Sequence, residues 1–485
     1  MSLQDIHSLM DIEDATGLAE WVRRGEVQPG ELLETAIERL ERVEPQLNAV
    51  AERLYDSARE AARSPEAGQG LFAGVPTLIK DLFSPVQGAA MTNGSRSLGD
   101  CRADFESELV TRLRRAGCQV MGTSTSPEFG TSYSTESVRF GATRNPWNTE
   151  RSAGGSSGGA AALVAARVVP FAHGNDGGGS LRVPASCCGV FGFKPSRGLL
   201  PSGPMIGEGW AGMGTPHAIT LSVRDSAALL DATAGIDLGA PYAAPVQALA
   251  YVTAVQRDPK PLRIALVEHV SPWATSAPSL QAVGEAARLC ESLGHRVEPV
   301  NLPVALPEFL DQVFTIIGAS TRHYVDVLGQ MRGAAVQAEE LEVRTRIILR
   351  DKGNVSGAQY AGAVEWIHAL GRRFAMFMQD YDVILSPVLT REPVLIGELE
   401  VHDVCMSLEQ LIERVHSYSP FTALFNASGQ PAMSVPLAWS ANGLPVGAHF
   451  AGRFGEESTL LALAAQLERA QPWRERVPAV NARRS

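Results

Sequence analysis

The sequence predicts an α/β protein: a large mixed β-sheet core covered by helices on both faces, an α/β/α arrangement. Three observations lead there. Helix-patterned and strand-patterned segments alternate, "SELVTRLRRAGC" before "QVMG", and "PLRIALVEHV", "SLQAVGEAARLCESLG", "HRVEPVNLP" in succession, which is the grammar of parallel pairing. The C-terminal "QPAMSVPLAWSANGLPVGAHFAG" is instead two strands joined through Asn442-Gly443, a hairpin signal that adds antiparallel pairing. A chain of 485 residues, 45% hydrophobic and 20% charged, can also bury a sizeable core.

Taken in order, "QPGELLETAIERLERVEPQLNAV" starts on a proline and spaces Leu33, Ile37, Leu40 and Val43 for one face of an amphipathic helix. "GLFAGVPTLIKDLF" reads as a short buried strand interrupted by one lysine, Lys80. The next helix carries Arg112, Arg114 and Arg115, expected on a solvated face. "SAGGSSGGAAALVAARVV" places Ser156 and Ser157 at the N-terminus of an uncharged, buried helix, where free N–H groups and the dipole favour negative charge. "YDVILSPVL" is another buried strand, and "EESTLLALAAQLERA" a closing helix on the sheet. Without repeats, low-complexity linkers or charge blocks, one domain over 1–485 is expected. It has a helical region at 1–65, a core at 66–235, and a C-terminal part at 260–475 with a helical insert near 310–380.

Charge and cysteine usage exclude several classes. A net charge of −11 argues against nucleic acid or anionic membranes as partners. No apolar run approaches the roughly 18 to 20 residues of a membrane span, and "MSLQDIHSLMDIEDAT" has no apolar signal core, so a cytoplasmic location is expected. The six cysteines, Cys101, Cys118, Cys187, Cys188, Cys290 and Cys405, lack CxxC spacing, and the ten histidines form no HExxH; neither a disulfide framework nor a metal site is indicated. Adjacent Cys187 and Cys188 read as small packing residues.

Three kinds of chemistry compete for the glycine run in "HGNDGGGSLRVPAS", His173 to Ser186: a phosphate cradle, an oxyanion hole or a plain turn. A phosphate loop needs GxxxxGK[ST] or GxGxxG after a strand, and neither glycine run supplies it. Gly154 to Gly158 matches G-x-S-x-G, the nucleophile elbow of α/β-hydrolase esterases, with Ser156 as nucleophile and His217, His416 and His449 downstream. That elbow needs a hydrophobic strand before the serine, and "PWNTERSAG" is polar. The third reading joins Lys80, Ser156 and Ser180. A lysine in an apolar setting has its charged form disfavoured and becomes a usable base.

On these residues the chain resembles the amidase signature family. "GGSSGGAAALVAARVVPFAHGNDGGGSLRVPASCCGVFGFKPSRG" is similar to the family's signature throughout, and "GVPTLIKDLF", "GATRNPWN" and "PFTALFNASGQPAMSVPL" to its other blocks. The resemblance implies a Ser-cisSer-Lys triad: Ser180 as nucleophile, Ser156 after a cis Gly155–Ser156 bond as proton relay, and Lys80 as base. It further implies an oxyanion hole from the N–H groups of Gly177, Gly178, Gly179 and Ser180, a supporting Asp176–Arg182 pair, and Ser157 capping the following helix. The implied activity is hydrolysis of a small-molecule carboxylic amide through an acyl-enzyme, with no cofactor or metal and with activity rising toward alkaline pH. Thr131, Tyr133 and Ile317 are the expected pocket walls. Within the family the blocks resemble those of the nylon-oligomer hydrolases, except that Gly177 and Gly178 replace alanines and Gly177 is expected to leave room beside the nucleophile. A rival from another class is the ammonia-supplying component of a glutamine-dependent tRNA amidotransferase. That family has a glutamine where this chain has Val183, and a "SLDQIGP"-like segment where this chain reads "MGTPHAITLSV". A catalytically dead scaffold is disfavoured by the presence of all three triad residues. Acyl and amine specificity are left open, as is homodimer formation.

Overall fold

The computed structural model describes residues 3–99 and 101–483. Eleven strands build its two main sheets: β1 (Val50–Arg53), β2 (Pro76–Lys80), β3 (Gln119–Ser124), β4 (Phe171–Asp176), β5 (Phe191–Lys194), β6 (Thr215–Thr220), β7 (Arg263–Leu266), β8 (Arg296–Pro299), β9 (Val383–Pro387), β10 (Ala432–Trp439) and β11 (Pro445–Gly452). The small sheet has the order β1-β3-β2, with β2 parallel and β1 antiparallel to β3. The large sheet runs β8-β7-β9-β11-β10-β5-β6-β4. It is mixed as expected: β7 lies parallel to β8 and β9, whereas β10 and β11 form the hairpin that turns at Asn442-Gly443, where Gly443 has φ +74.

The edge strands β2 and β4 meet at a seam bridged by side chains. Thr77 Oγ1 donates to the Phe171 carbonyl (3.1 Å), and the Lys80 N–H donates to His173 Nδ1 (3.2 Å). Helix Gly158–Ala165 packs on this seam. Its sequence, GGAAALVA, is entirely buried, and its small side chains let both strands approach. Because the seam is covered, every residue of β2, including Lys80, is buried.

The predicted amphipathic helix forms at Pro29–Leu47, after helices Leu3–Ile12 and Ala15–Arg23, opened by a Gln28/Glu31 capping box and Pro29 at its first position. Leu33, Ile37, Leu40 and Val43 are all buried on it, each contributing about 1.5 to 3 kcal/mol. Helices Leu306–Met331, Val343–Lys352 and Gly357–Phe377 fall where the helical insert is expected, and helix Glu457–Ala470 packs on β11. Among the described residues no helix is long and apolar enough to cross a membrane, and no cluster of histidine, cysteine, aspartate and glutamate could hold a metal ion.

Arg112 departs from its expected place on a solvated face. Its guanidinium reaches the carbonyls of Thr233 (2.8 Å), Gly235 (2.8 Å) and Ile236 (2.8 Å), so it holds the C-terminal end of helix Val223–Thr233. Cys187 and Cys188 are fully buried free thiols.

Candidate active site

Strand alternation sorts the side chains of β4. His173 and Asn175 point across the seam to Lys80, and Asp176 points the other way, to Arg182. Lys80 is 0% exposed, and its Nζ lies 2.7 Å from Ser156 Oγ and 2.7 Å from Asn175 Oδ1. Burial drives its pKa well below the usual lysine value, and the charge of Asp176 opposes that only in part.

Ser156 follows a cis peptide bond with Gly155. A Cβ at Gly155 would lie 2.5 Å from the Ser134 carbonyl oxygen, so the close passage of these two backbones requires glycine. Ser157 N–H donates to the Ser180 carbonyl (3.3 Å), which sets the two serine-bearing segments side by side. The Ser180 hydroxyl itself makes no hydrogen bond among the described residues, and the residue is 5% exposed. Lys80 and Ser156 are thus joined directly, and Ser180 through the backbone.

Asp176 and Arg182 pair as expected, with both side chains fully buried. The fork is bidentate: Arg182 Nε to Asp176 Oδ2 and Nη2 to Oδ1, both 2.9 Å. Asp176 also accepts from Gly179 N–H (2.7 Å), Leu181 N–H (3.1 Å) and Asn426 Nδ2 (2.9 Å), while Arg182 reaches the Thr422 carbonyl (2.9 Å) and His449 Nε2 (3.0 Å). Burial alone would raise the Asp176 pKa, but the charge and hydrogen bonds of Arg182 outweigh it and hold the carboxyl well below the ordinary range. Removing only the cation, as in Arg182→Met, leaves a buried unpaired carboxylate and is expected to cost about 3 to 5 kcal/mol in urea unfolding. Asp176→Asn combined with it should recover part of that loss, and an additive double variant would contradict this coupling.

Two expected roles change. Gly179 N–H is occupied by Asp176, so the N–H groups that donate to no acceptor among the described residues are those of Gly177, Gly178 and Ser180. Gly179 serves backbone shape instead: its φ is +140, and a Cβ would lie 2.4 Å from Thr422 Oγ1. Ser157 sits at the N-cap position of helix Gly158–Ala165 without a side-chain cap, its hydroxyl donating to the Asn175 carbonyl (3.2 Å). Thr135 Oγ1 takes the Gly158 N–H (3.0 Å) in its place.

The room expected beside Gly177 is filled by Trp210, whose ring carbons Cε3 and Cζ3 would both lie 2.8 Å from a Cβ there. The indole is half-buried on a loop in which Trp210 and Ala211 both have positive φ, +51 and +53. Asn426 Nδ2 donates to the Met213 carbonyl (3.0 Å) as well as to Asp176, tying this loop to the loop that carries Ser180. Gly177→Ala is expected to displace the indole and raise KM several-fold, visible also in near-ultraviolet circular dichroism. Gly178→Ala, whose Cβ would meet only Tyr133 Oη at 3.4 Å and Ala423 at 3.8 Å, should behave like the parent. Equal kinetics for both variants would refute the difference.

Of the expected pocket residues, Tyr133 is brought to the site: its hydroxyl donates to the Gly178 carbonyl (2.9 Å) and its ring stands 5.1 Å from that of His416. Ile317 lies on the same helix face as Phe314, which packs on His416 (5.2 Å), and Tyr324, which packs on Phe83 (4.9 Å). Thr131 follows Gly130, where a Cβ would lie 3.3 Å from Ser156 Oγ, but its own hydroxyl turns to the Glu128 carbonyl (3.2 Å). Among the described residues no histidine bonds to the Ser156 hydroxyl, which is met by Lys80. His217 meets Ser226 (2.9 Å), His449 meets Ser386 (3.0 Å) and Arg182, and His416 meets Tyr133. The strand before Ser156, Asn148–Ser152, alternates exposed and partly buried until Ser152. Sequence reasoning does not single out Asn175, Trp210, Thr422 or Asn426; of these, only Trp210 lies outside the blocks that carry the resemblance.

Known proteins are similar to this chain in sequence and in fold over nearly its whole length. The family model described as Amidase matches residues 31–461. The 6-aminohexanoate-cyclic-dimer hydrolase of Pseudomonas sp. (strain NK87) is 37% identical over 478 residues, covering 96% of each chain. A solved structure of 6-aminohexanoate cyclic dimer hydrolase superposes with a TM-score of 0.90 at 36% identity, covering 96% of this chain and 99% of that one. A bacterial aryl acylamidase of the amidase signature family superposes with a TM-score of 0.86 at 30% identity, covering 95% and 96%.

Proposed function

The chain belongs to the amidase family, enzymes that act on amide C–N bonds, and from that premise we propose that it hydrolyses a neutral carboxylic amide through an acyl-enzyme on Ser180. The observation that carries this reading is the fully buried Lys80 Nζ, 2.7 Å from Ser156 Oγ on the cis Gly155–Ser156 peptide, with Ser180 on the adjacent backbone. Neutral Lys80 accepts the Ser156 proton as Ser156 takes that of Ser180, and Ser180 Oγ bonds to the amide carbon. The hydroxyl of Ser180 closes toward Ser156 when substrate is in place. Gly177, Gly178 and Ser180 N–H groups supply the donors for the developing oxyanion, each typically contributing about 2.7 to 4 kcal/mol in hydrolases. The C–N bond then breaks, and the proton held by Lys80 returns through Ser156 to the departing amine. Water attacks the ester by the same relay, releasing the carboxylic acid and restoring Ser180.

Tyr133, Phe314 and a His416 whose pKa burial lowers to about 4 present uncharged rings near the nucleophile loop, which supports a neutral substrate. The test is a panel of anilides, linear alkyl amides and cyclic amides, the 6-aminohexanoate cyclic dimer included, given to the purified chain alone. Stoichiometric carboxylate and amine are the expected products. A chain inactive on every amide unless partner proteins are added would contradict the proposal.

A further inference from the structure

We infer that Asn175 is a positioning residue that aims the lone pair of Lys80 at Ser156, an inference that rests on the base role proposed above. Its orientation is fixed: Asn175 Nδ2 donates to the Leu82 carbonyl at 2.7 Å, so the side-chain oxygen is the atom that faces Lys80 Nζ, also at 2.7 Å. The backbone of Asn175 is pinned as well, since its carbonyl accepts from Ser157 Oγ (3.2 Å).

An amide oxygen can only accept. It therefore holds one N–H of the lysine in either protonation state, and the two partners of Nζ become different in kind. The neutral amine has two N–H bonds and one lone pair. With one N–H committed to Asn175, only the second N–H and the lone pair are left to share the remaining directions, and the lone pair is the one that matches the Ser156 hydroxyl at 2.7 Å, the donor beside Nζ among the described residues. A base held only by the hydroxyl could turn an N–H toward it instead and would then be unable to take its proton. The same oxygen favours the ammonium form, so Asn175 also sets how far the profile lies from the burial-driven limit.

The other titratable groups around Lys80 leave this role to Asn175. Asp81, the next residue along the chain, is turned to the Thr92 N–H (3.0 Å). His173, which receives the Lys80 backbone N–H, is pushed down to about 3 by burial and stays neutral. Arg182 is engaged by Asp176, and burial keeps the Tyr133 hydroxyl protonated. The charge that reaches Lys80 is that of Asp176.

The experiment follows the rate of Ser180 labelling by a fluorophosphonate, read by intact mass from acid to alkaline pH, so that no natural substrate is needed. Labelling forms an Oγ–P bond and breaks P–F, and the Ser180 proton leaves through the same relay. In Asn175→Asp the carboxylate favours the ammonium, and the midpoint should move to higher pH by about 1 to 3 pH units. In Asn175→Leu, of similar volume, the acceptor is gone; the midpoint should move to lower pH and the plateau rate fall by about tenfold or more. A carboxylate set 2.7 Å from Nζ raises the midpoint whatever the native side chain does, so the downward movement and the lowered plateau of Asn175→Leu are what support the inference, and a parental plateau in that variant overturns it. Midpoints that stay at the parental value, or that move the same way, overturn it. If the parent itself is not labelled on Ser180, the nucleophile assignment falls instead.

Discussion

Ser180→Ala is expected to lower amide turnover by about 10⁴-fold or more, leaving what the oxyanion donors and substrate binding supply alone. The expected loss is large because no neighbouring group can substitute. Ser156 Oγ is held at 2.7 Å by Lys80 on a residue that is 1% exposed, so a substrate carbonyl has no approach to it. Ser157 is turned to the Asn175 carbonyl. The fold should be unaffected, since the Ser180 hydroxyl bonds to nothing among the described residues, and the melting temperature of Ser180→Ala should match the parent. Steady-state kinetics with calorimetry on the same preparation checks both. A variant that keeps parental turnover would return the elbow reading, with Ser156 as nucleophile.

Lys80→Met should cost about 10² to 10⁴-fold, the range of a positioned general base, and should also abolish the pH dependence. In the proposed mechanism the active form of the lysine is neutral, so parental kcat/KM should rise with pH through the ionisation of Lys80 and level off above it. Burial places that ionisation well below the ordinary lysine value, so the plateau is reached on the neutral side of 10.5. Methionine removes both the base and the slope. Lys80→Arg should not restore either, because a guanidinium stays charged across the range. A parental profile flat through the region where Lys80 titrates would exclude it as the base.

How far the site is legible in the sequence varies from residue to residue, for physical reasons. Lys80 stands out because one lysine interrupts an apolar strand, and the structure buries it completely. The same signal also fits Lys194 in "GVFGFKPSRG", which is 1% exposed and whose pKa burial lowers to about 7, yet whose Nζ donates among the described residues only to the Pro195 carbonyl (2.8 Å). Burial is readable from apolar neighbours, but which serine a buried lysine touches depends on how β2 meets β4. The sheet is legible because hairpin and strand-helix-strand patterns are local. Ser157 is a good N-cap residue by type, but the neighbouring strand offers it the Asn175 carbonyl and Thr135 takes the cap. Asn426 reaches Asp176 across 250 residues of chain, and Trp210 covers Gly177 from a separate loop; no local pattern encodes either contact. The charges of Arg112, Arg114 and Arg115 look alike in sequence, and only packing against helix Val223–Thr233 distinguishes Arg112.

The central claim, an acyl group carried by Ser180, is tested most directly by quenching a reaction with a slowly deacylating aryl ester or anilide in acid and mapping the modified peptide by mass spectrometry. The account predicts one acyl group on Ser180 in the parent and none in Ser180→Ala. An acyl group found on Ser156, or one still formed at the parental rate in Ser180→Ala, would contradict it.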